Sequence, residues 1–181
     1  LFDYRILTLA NLIDLGLQIN GHRWNLVTPL LPYLGALYDT TTIWTLSENE
    51  QYLNSSIISL NPIHPQAKGS GFSWRVYDIM ASNACLVCEY SSDLITLTQN
   101  HVDIPMFKTP WEARELVKEL LKDDSARKQI VSASQKFIDF YGRWIHRFSE
   151  IERILNISII NQDKKGQIVY LKDDVAFKNL L

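Results

Sequence analysis

Apolar residues follow two different spacings along the chain, one typical of helices and the other of strands. Residues 4–15 place them on one helical face, and Gly16 lies where that helix would end. Residues 55–61 instead have a continuous apolar centre, which indicates a strand buried on both faces of a sheet. The same criteria predict strands within residues 15–21, 35–39, 55–61, 84–90 and 101–107, and helices within 4–15, 41–54, 72–81, 109–121, 125–140 and 143–155.

Strands that alternate with helices predict an α/β fold built on a parallel sheet. The length of 181 residues suits one domain, which we assign to residues 1–155. Residues 156–181 form a C-terminal tail. The segment "GQIVYL" within it is either a small paired strand or part of an arm that docks elsewhere.

Residues at the helix ends sharpen these boundaries. Thr109 is expected to cap a helix in which Pro110 takes the first position and Glu112 completes a capping box. Asn83 is expected to end the helix over residues 72–81 in the left-handed conformation.

The loop over residues 61–71 is the first candidate for chemistry, because it follows a strand and leads into a helix. Ligands of open α/β sheets bind at the carboxyl ends of the strands. Gly69 and Gly71 would allow a ligand to approach the backbone closely. A helix that starts at Phe72 would leave the N–H groups of Phe72, Ser73 and Trp74 free for an anion such as a diphosphate.

Charged side chains on this helix extend the candidate site. Arg75 would add a fixed positive charge one turn into the helix. Asp78 lies three residues later, on the same helical side, and its carboxylate could accept hydrogen bonds from sugar hydroxyls. Alternatively, Gly71, Ser73 and Arg75 form a plain helix start, and Asp78 only pairs with Arg75.

Composition and charge exclude several classes of function. The net charge of −2 gives no overall attraction to nucleic acid. No apolar run is long enough to span a bilayer. Two cysteines in 181 residues favour a reducing, cytoplasmic setting over a disulfide scaffold. Cys85 and Cys88 stand three residues apart in a strand, so we expect them to face opposite sides of the sheet.

The chain resembles the C-terminal, donor-binding half of GT-B-fold glycosyltransferases, and in particular bacterial proteins similar to spore-maturation glycosyltransferases. Residues 56–155 carry the resemblance best, in the segments "GFSWRVYDIMASNACLVCEYSSDL", "VDIPMFKTPWEARELVKELLKDDSARKQIVSASQKFI" and "RWIHRFSEIERIL". It implies a Rossmann-like sheet flanked by helices, forming one half of a GT-B fold. It also implies transfer of a sugar from a nucleotide-sugar donor of the UDP or GDP type to an acceptor, without a cofactor.

The resemblance assigns roles to particular residues. Relatives carry two glutamates eight positions apart, the first thought to contact the donor sugar and the second the ribose; here these positions hold Ser70 and Asp78. Arg75 is the residue expected to stabilise the leaving diphosphate during catalysis. No metal is expected, because no Asp-x-Asp pair is present. The full set of expected substrate-binding residues is Ser70, Gly71, Phe72, Ser73, Asp78, His22, Arg23, Ser91 and Ser92.

Two of these groups come from other loops. His22 and Arg23 follow an early strand and offer a second contact to the diphosphate or the base, or else form an ordinary surface turn. Ser91 and Ser92, between Glu89 and Asp93, follow the fourth strand in a region that lies near the donor sugar or phosphates in the family. A simple N-capping loop is the alternative there.

A GT-B enzyme works across a cleft between two domains, and this chain has room for one. We therefore expect the acceptor domain to precede Leu1, and the chain alone to be inactive. Two other functions remain open. One is a binding or assembly module that keeps the fold without transferase activity, which the serine at position 70 favours. The other is a sugar-nucleotide epimerase of similar architecture.

Overall fold

The structure is a computed structural model that describes residues 2–20, 29, 31–39, 43, 45–64, 71–99, 101–157, 161–162 and 168–169. The chain packs as two compact units, Leu1–Ile138 and Asp139–Leu181. The assignment of residues 1–155 to one domain stays a prediction, since compactness does not show which part of a chain folds by itself.

The first unit alternates helices with short strands, as the hydrophobic pattern predicts. The strands are β1 (Ile19–Asn20), β2 (Tyr38–Asp39), β3 (Ile58–Asn61), β4 (Cys85–Glu89) and β5 (Met106–Phe107). The helices are α1 (Phe2–Ala10), α2 (Pro32–Gly35), α3 (Leu46–Asn54), α4 (Arg75–Ala81), α5 (Ser92–Thr98), α6 (Pro110–Lys122) and α7 (Asp124–Phe137), with a 3₁₀ turn over Ile13–Leu15 after α1.

All strand pairs among the described residues of this unit are parallel. β1 pairs with β2, with Ile19 opposite Tyr38. A three-stranded sheet has the order β3-β4-β5, with Ile58 opposite Cys85 and Cys88 opposite Met106. Parallel neighbours joined through helices confirm the predicted α/β, Rossmann-like class.

Strand β4 is buried along its whole length and divides the core into two layers. Leu86 and Cys88 face one layer, where they pack with residues of α4, α5 and α7. Cys85 and Val87 face the other layer, with Phe107 and residues of α6. Side chains of a strand alternate between faces, and the predicted opposite orientation of the two cysteines is therefore confirmed.

Helix α6 begins as its sequence predicts. The Thr109 hydroxyl accepts a hydrogen bond from the Glu112 N–H at 3.2 Å, and Pro110 is the first helical residue. The carboxylate of Glu112, however, accepts from the N–H of Lys108 at 2.6 Å, one residue before the cap. Thr109 thus caps the helix as expected, but the reciprocal bond of the capping box goes to Lys108.

Three local expectations are wrong. Helix α4 begins at Arg75 rather than Phe72, because the three residues after Gly71 form loop contacts instead. Asn83 does not adopt the left-handed conformation; the chain leaves α4 through Ser82 in extended form. Strand β3 is only half-buried from Ile58 to Leu60, so its continuous apolar run does not reflect burial on both faces.

The second unit contains helix α8 (Trp144–Leu155), preceded by a π-helical turn over Ile138–Gly142. No residue of α8 is buried. Strands β6 (Asn161–Gln162) and β7 (Ile168–Val169) pair in antiparallel fashion, so the first of the two alternatives for "GQIVYL", a small paired strand, is the one observed.

Candidate functional site

Polar residues end two neighbouring strands of the three-stranded sheet. Asn61 is the last residue of β3 and is buried. Its side-chain amide donates to Cys88 Sγ at 3.4 Å, and its carbonyl oxygen accepts from the Ser73 hydroxyl at 3.3 Å. Buried polar groups are costly unless they are hydrogen-bonded, and these bonds therefore tie the segment before α4 to the end of the sheet.

Glu89 is the corresponding residue at the end of β4, and it is also buried. Its carboxylate accepts a hydrogen bond from the N–H of Ile63 at 2.9 Å. This bond fixes the start of the loop after β3 against the end of β4. A buried carboxylate at the carboxyl edge of a parallel sheet also places a negative charge where ligands of such folds bind.

Gly71 joins the two loops that follow these strands. Its φ of +78° lies in the left-handed region that favours glycine. Its N–H donates to the Asp93 carboxylate, and its carbonyl accepts from the Ser91 hydroxyl at 3.3 Å. Ser91 Oγ also accepts from the Leu94 N–H at 3.2 Å and so caps α5. The loop before α4 and the start of α5 are thus held together.

Backbone N–H groups at the start of α4 are largely occupied within the chain. Those of Val76 and Tyr77 donate to the carbonyls of Ser73 and Trp74 at 3.0 and 2.9 Å. The expected row of free N–H groups at residues 72–74 precedes the helix and is not its first turn. Internal hydrogen bonds thus occupy the N–H groups of Val76 and Tyr77, and Arg75 adds a positively charged side chain at this edge.

Arg75 is the first residue of α4, and its side chain is exposed. Among the residues that the structure describes, it forms no ion pair with Asp78. Partial desolvation raises the pKa of the Asp78 carboxyl, and the charge of Arg75 acts in the opposite direction. Asp78 nevertheless remains on the surface, so both charged groups of α4 are accessible to a ligand.

Helix α1 brings a second arginine to this edge. The Tyr4 hydroxyl donates to the carbonyl of Lys108, the residue directly after β5. The neighbouring Arg5 has a buried Nε with no hydrogen-bond partner in the described structure. Burial lowers the pKa of Arg5, as does the charge of Arg75, while Glu89 raises it. Arg75 and Glu89 therefore both lie within electrostatic reach of Arg5.

The structure brings several of the expected site residues together. Gly71, Ser73 and Ser91 share the hydrogen-bonded junction, and Ser92 is the exposed first residue of α5. Phe72 is half-buried against the core, with its ring centroid 5.8 Å from that of Tyr77. Three expected residues lie outside the described part of the chain: Ser70, His22 and Arg23.

Sequence reasoning did not single out Asn61 or Arg5. Asn61 carries a usable signal, because it is the polar residue that ends an apolar strand, at the edge where ligands bind. Arg5 has no comparable signal in the sequence, because a positively charged residue in an amphipathic helix is ordinarily exposed to solvent. Only the packing of α1 shows that its Nε is buried.

A separate concavity of about 430 Å³ lies between the end of α5 and the segment that leads into β5. It is lined by Thr98, Gln99, His101, Asp103 and Met106, among others. This surface precedes β5 and is therefore on the side of the sheet opposite the carboxyl ends. None of the expected site residues lines it.

In the described ranges, no three His, Cys, Asp or Glu side chains converge in a way that would hold a metal ion. Within those ranges, no helix combines the length and apolar character that a membrane crossing requires.

Comparison with known proteins identifies the family. The glycosyl transferase-like family matches residues 6–153, from α1 into α8. No match was found among curated proteins. The family match covers most of the chain and includes every strand of the three-stranded sheet, which confirms the resemblance seen in the sequence. The chain belongs to the glycosyl transferase-like family and is a GT-B-type glycosyltransferase domain.

Proposed function

We propose that this chain is the donor-binding domain of a glycosyltransferase and binds a nucleoside diphosphate sugar at the carboxyl edge of β3 and β4. One observation carries the proposal: Arg75 is exposed at the start of α4, directly after a loop that Asn61 and Asp93 fix to the sheet. Because the loop is fixed by hydrogen bonds, the accessible guanidinium that follows it is well positioned to bind phosphate oxygens.

The chemistry of transfer assigns a task to Arg75. As the bond between the anomeric carbon and the diphosphate breaks, negative charge accumulates on the leaving diphosphate. A positioned guanidinium stabilises that charge without having to reorganise during the reaction. Because the N–H groups of Val76 and Tyr77 are bonded within the chain, the side chain of Arg75 is proposed to provide most of this stabilisation.

Carboxylates at the same edge suit the hydroxyl groups of a sugar nucleotide. Asp78 lies on the surface of α4 and is proposed to accept hydrogen bonds from the ribose. The donor would be lined by Gly71, Phe72, Ser73, Ser91 and Ser92. Its surroundings would be completed by Ser70, His22 and Arg23. The base is of the uridine or guanosine type, and the acceptor binds across a cleft that a second domain completes.

Two free, buried thiols suit a reducing compartment such as the cytoplasm.

A second candidate function is a binding or assembly module that has kept the fold without transfer activity. The observation that favours it is the bond from the Gly71 N–H to Asp93. It places the chain's own carboxylate on an N–H that would otherwise be offered to a phosphate. Loss of donor binding would follow if this arrangement persists in the presence of nucleotides.

Calorimetric titration with UDP, GDP and their sugar conjugates tests the proposal. We expect the wild-type chain to bind one nucleotide class, and Arg75→Ala to weaken that binding by about tenfold or more, equivalent to roughly 1.4 kcal/mol. Arg153→Gln is the matched control, because Arg153 is an exposed arginine on α8. Unchanged affinity in Arg75→Ala would contradict the role of Arg75, and absence of any nucleotide binding would favour the assembly module.

A further inference from the structure

Arg5 of α1 interacts electrostatically with Arg75 and Glu89 but leaves one of its own donors unsatisfied. Its Nε is buried and has no hydrogen-bond partner in the described part of the fold. The next residue, Ile6, is buried in a cluster that includes Leu60 of β3. The preceding residue, Tyr4, donates to the carbonyl of Lys108. These neighbours fix the first turns of α1 over the carboxyl ends of β3 and β5.

A guanidinium in this position is unfavourable unless an anion accompanies it. A buried N–H without an acceptor costs free energy, more so when the group is charged. The charge of Arg75 acts on the same group and disfavours its protonated form, as burial does, whereas Glu89 favours it. Neither charge supplies an acceptor to the Nε–H of Arg5, which stays unsatisfied in the described structure, and phosphate oxygens would supply one.

We infer that Arg5 is a second phosphate-binding residue and that it holds the diphosphate of the donor together with Arg75. The inference rests on the proposed donor-binding function and names the part of the ligand that this edge recognises. A guanidinium presents several N–H groups to phosphate oxygens, so a diphosphate would satisfy the buried Nε and neutralise the repulsion between the two arginines. Arg5 would then contribute to affinity for the diphosphate and little to recognition of the base.

The test compares Arg5→Gln, Arg5→Lys, Arg75→Ala and Arg153→Gln with the wild-type chain. UDP, GDP and inorganic pyrophosphate are titrated into each protein by calorimetry, and thermal unfolding is recorded without ligand. Pyrophosphate probes the diphosphate contact independently of the base. Arg5→Lys keeps the charge but removes the planar guanidinium and its set of donors.

We expect Arg5→Gln to weaken binding of pyrophosphate and of the preferred nucleoside diphosphate by about the same factor, on the order of tenfold. Arg5→Lys should fall between Arg5→Gln and the wild type, and Arg153→Gln should match the wild type. Because the buried Nε of Arg5 has no hydrogen-bond partner in the described structure, we expect the unliganded unfolding midpoint of Arg5→Gln to change by no more than about 2 °C.

Three results would overturn the inference. Wild-type affinity in Arg5→Gln, together with weakened binding in Arg75→Ala, would remove Arg5 from the site and leave the proposed function intact. A fall of more than about 4 °C in the unliganded midpoint of both Arg5 variants would identify a structural role instead. If the wild-type chain binds neither nucleotide nor pyrophosphate, the proposed function and the role of Arg5 both fail.

Discussion

The interior of the sheet is apolar and its carboxyl edge is charged, although the change occurs between two adjacent residues of β4, Cys88 and Glu89. Cys85 to Cys88 are apolar, fully buried and packed on both faces. At the next position Glu89 places a buried carboxylate, and beyond it two arginines approach from α1 and α4. The interior is apolar and closely packed, whereas at the edge the buried Nε of Arg5 has no hydrogen-bond partner in the described structure.

This difference indicates where stability and function reside. Residues in the interior contribute by burial, which depends on area and close packing. Residues at the edge contribute little to the core, and their arrangement is explained better by a ligand than by packing. Substitutions in the two regions should therefore affect different measurements: unfolding free energy for the interior and ligand affinity for the edge.

The largest expected effect is that of Phe107→Ala. Phe107 is completely buried next to Val87 and the residues of α6. Its truncation should lower the free energy of unfolding by about 3–5 kcal/mol, because it removes buried apolar surface and leaves a cavity. Urea unfolding measures the loss. Trp111→Ala is the control: Trp111 is 67% exposed, and its truncation should cost less than about 1 kcal/mol. Equal losses in the two variants would contradict the assignment of the core.

The two thiols of β4 give the interior a dependence on pH. Burial raises the pKa of Cys85 and of Cys88 to about 11. The unfolded thiols have a pKa of about 8.5–9, so the folded state should lose stability as the pH rises from about 8.5 to 11 and change little at lower pH. At pH 10 the loss is roughly 1 kcal/mol for each thiol.

Urea unfolding of the wild-type chain and of a Cys85→Ala, Cys88→Ala variant at pH 8 and pH 10 measures this effect. The variant should be less stable at pH 8, because it lacks two buried side chains, but less sensitive to the change in pH. A wild-type chain that loses no more stability than the variant between the two pH values would show that the thiols are not shielded as described.

A smaller effect is expected for Asp93→Asn at the edge. Asp93 accepts from the Gly71 N–H and is otherwise exposed. Asparagine keeps an acceptor but removes the charge, so the cost in stability should be no more than about 1 kcal/mol. Removal of a negative charge next to the proposed diphosphate should leave affinity for UDP or GDP unchanged or higher. Asp123→Asn is the matched control, because Asp123 is also exposed and accepts a backbone N–H, that of Ala126 at 2.9 Å. A large loss of stability in Asp93→Asn alone would make this junction part of the folding core.

The sequence predicted the interior better than the edge, for physical reasons. The apolar run was enough to predict strand β4. The alternation of side chains along a strand was enough to predict the opposite orientations of Cys85 and Cys88. Local turn chemistry sufficed for the Thr109 cap. The start of α4 was misplaced by three residues because Ser73 bonds to Asn61, twelve positions away, instead of capping the helix.

Long-range contacts also account for what the sequence did not reveal about the candidate site. Gly71 adopts a positive φ, which its residue type allows, whereas its expected contact with a ligand stays a prediction. Its pairing with Asp93 and Ser91 could not be predicted, because twenty or more residues separate them along the chain. Likewise, the buried Nε of Arg5 depends on how α1 packs over the sheet, which no local pattern encodes.

The most direct test of the central claim is the location of nucleotide binding, measured by amide chemical shifts of the ¹⁵N-labelled chain during titration with UDP and with GDP. The account predicts shifts concentrated at Gly71, Arg75, Ser91 and Asp93, with the concavity around Thr98 and Met106 unaffected. Shifts confined to that concavity, or none at saturating concentrations of either nucleotide, would contradict the claim that the carboxyl edge of β3 and β4 binds the donor.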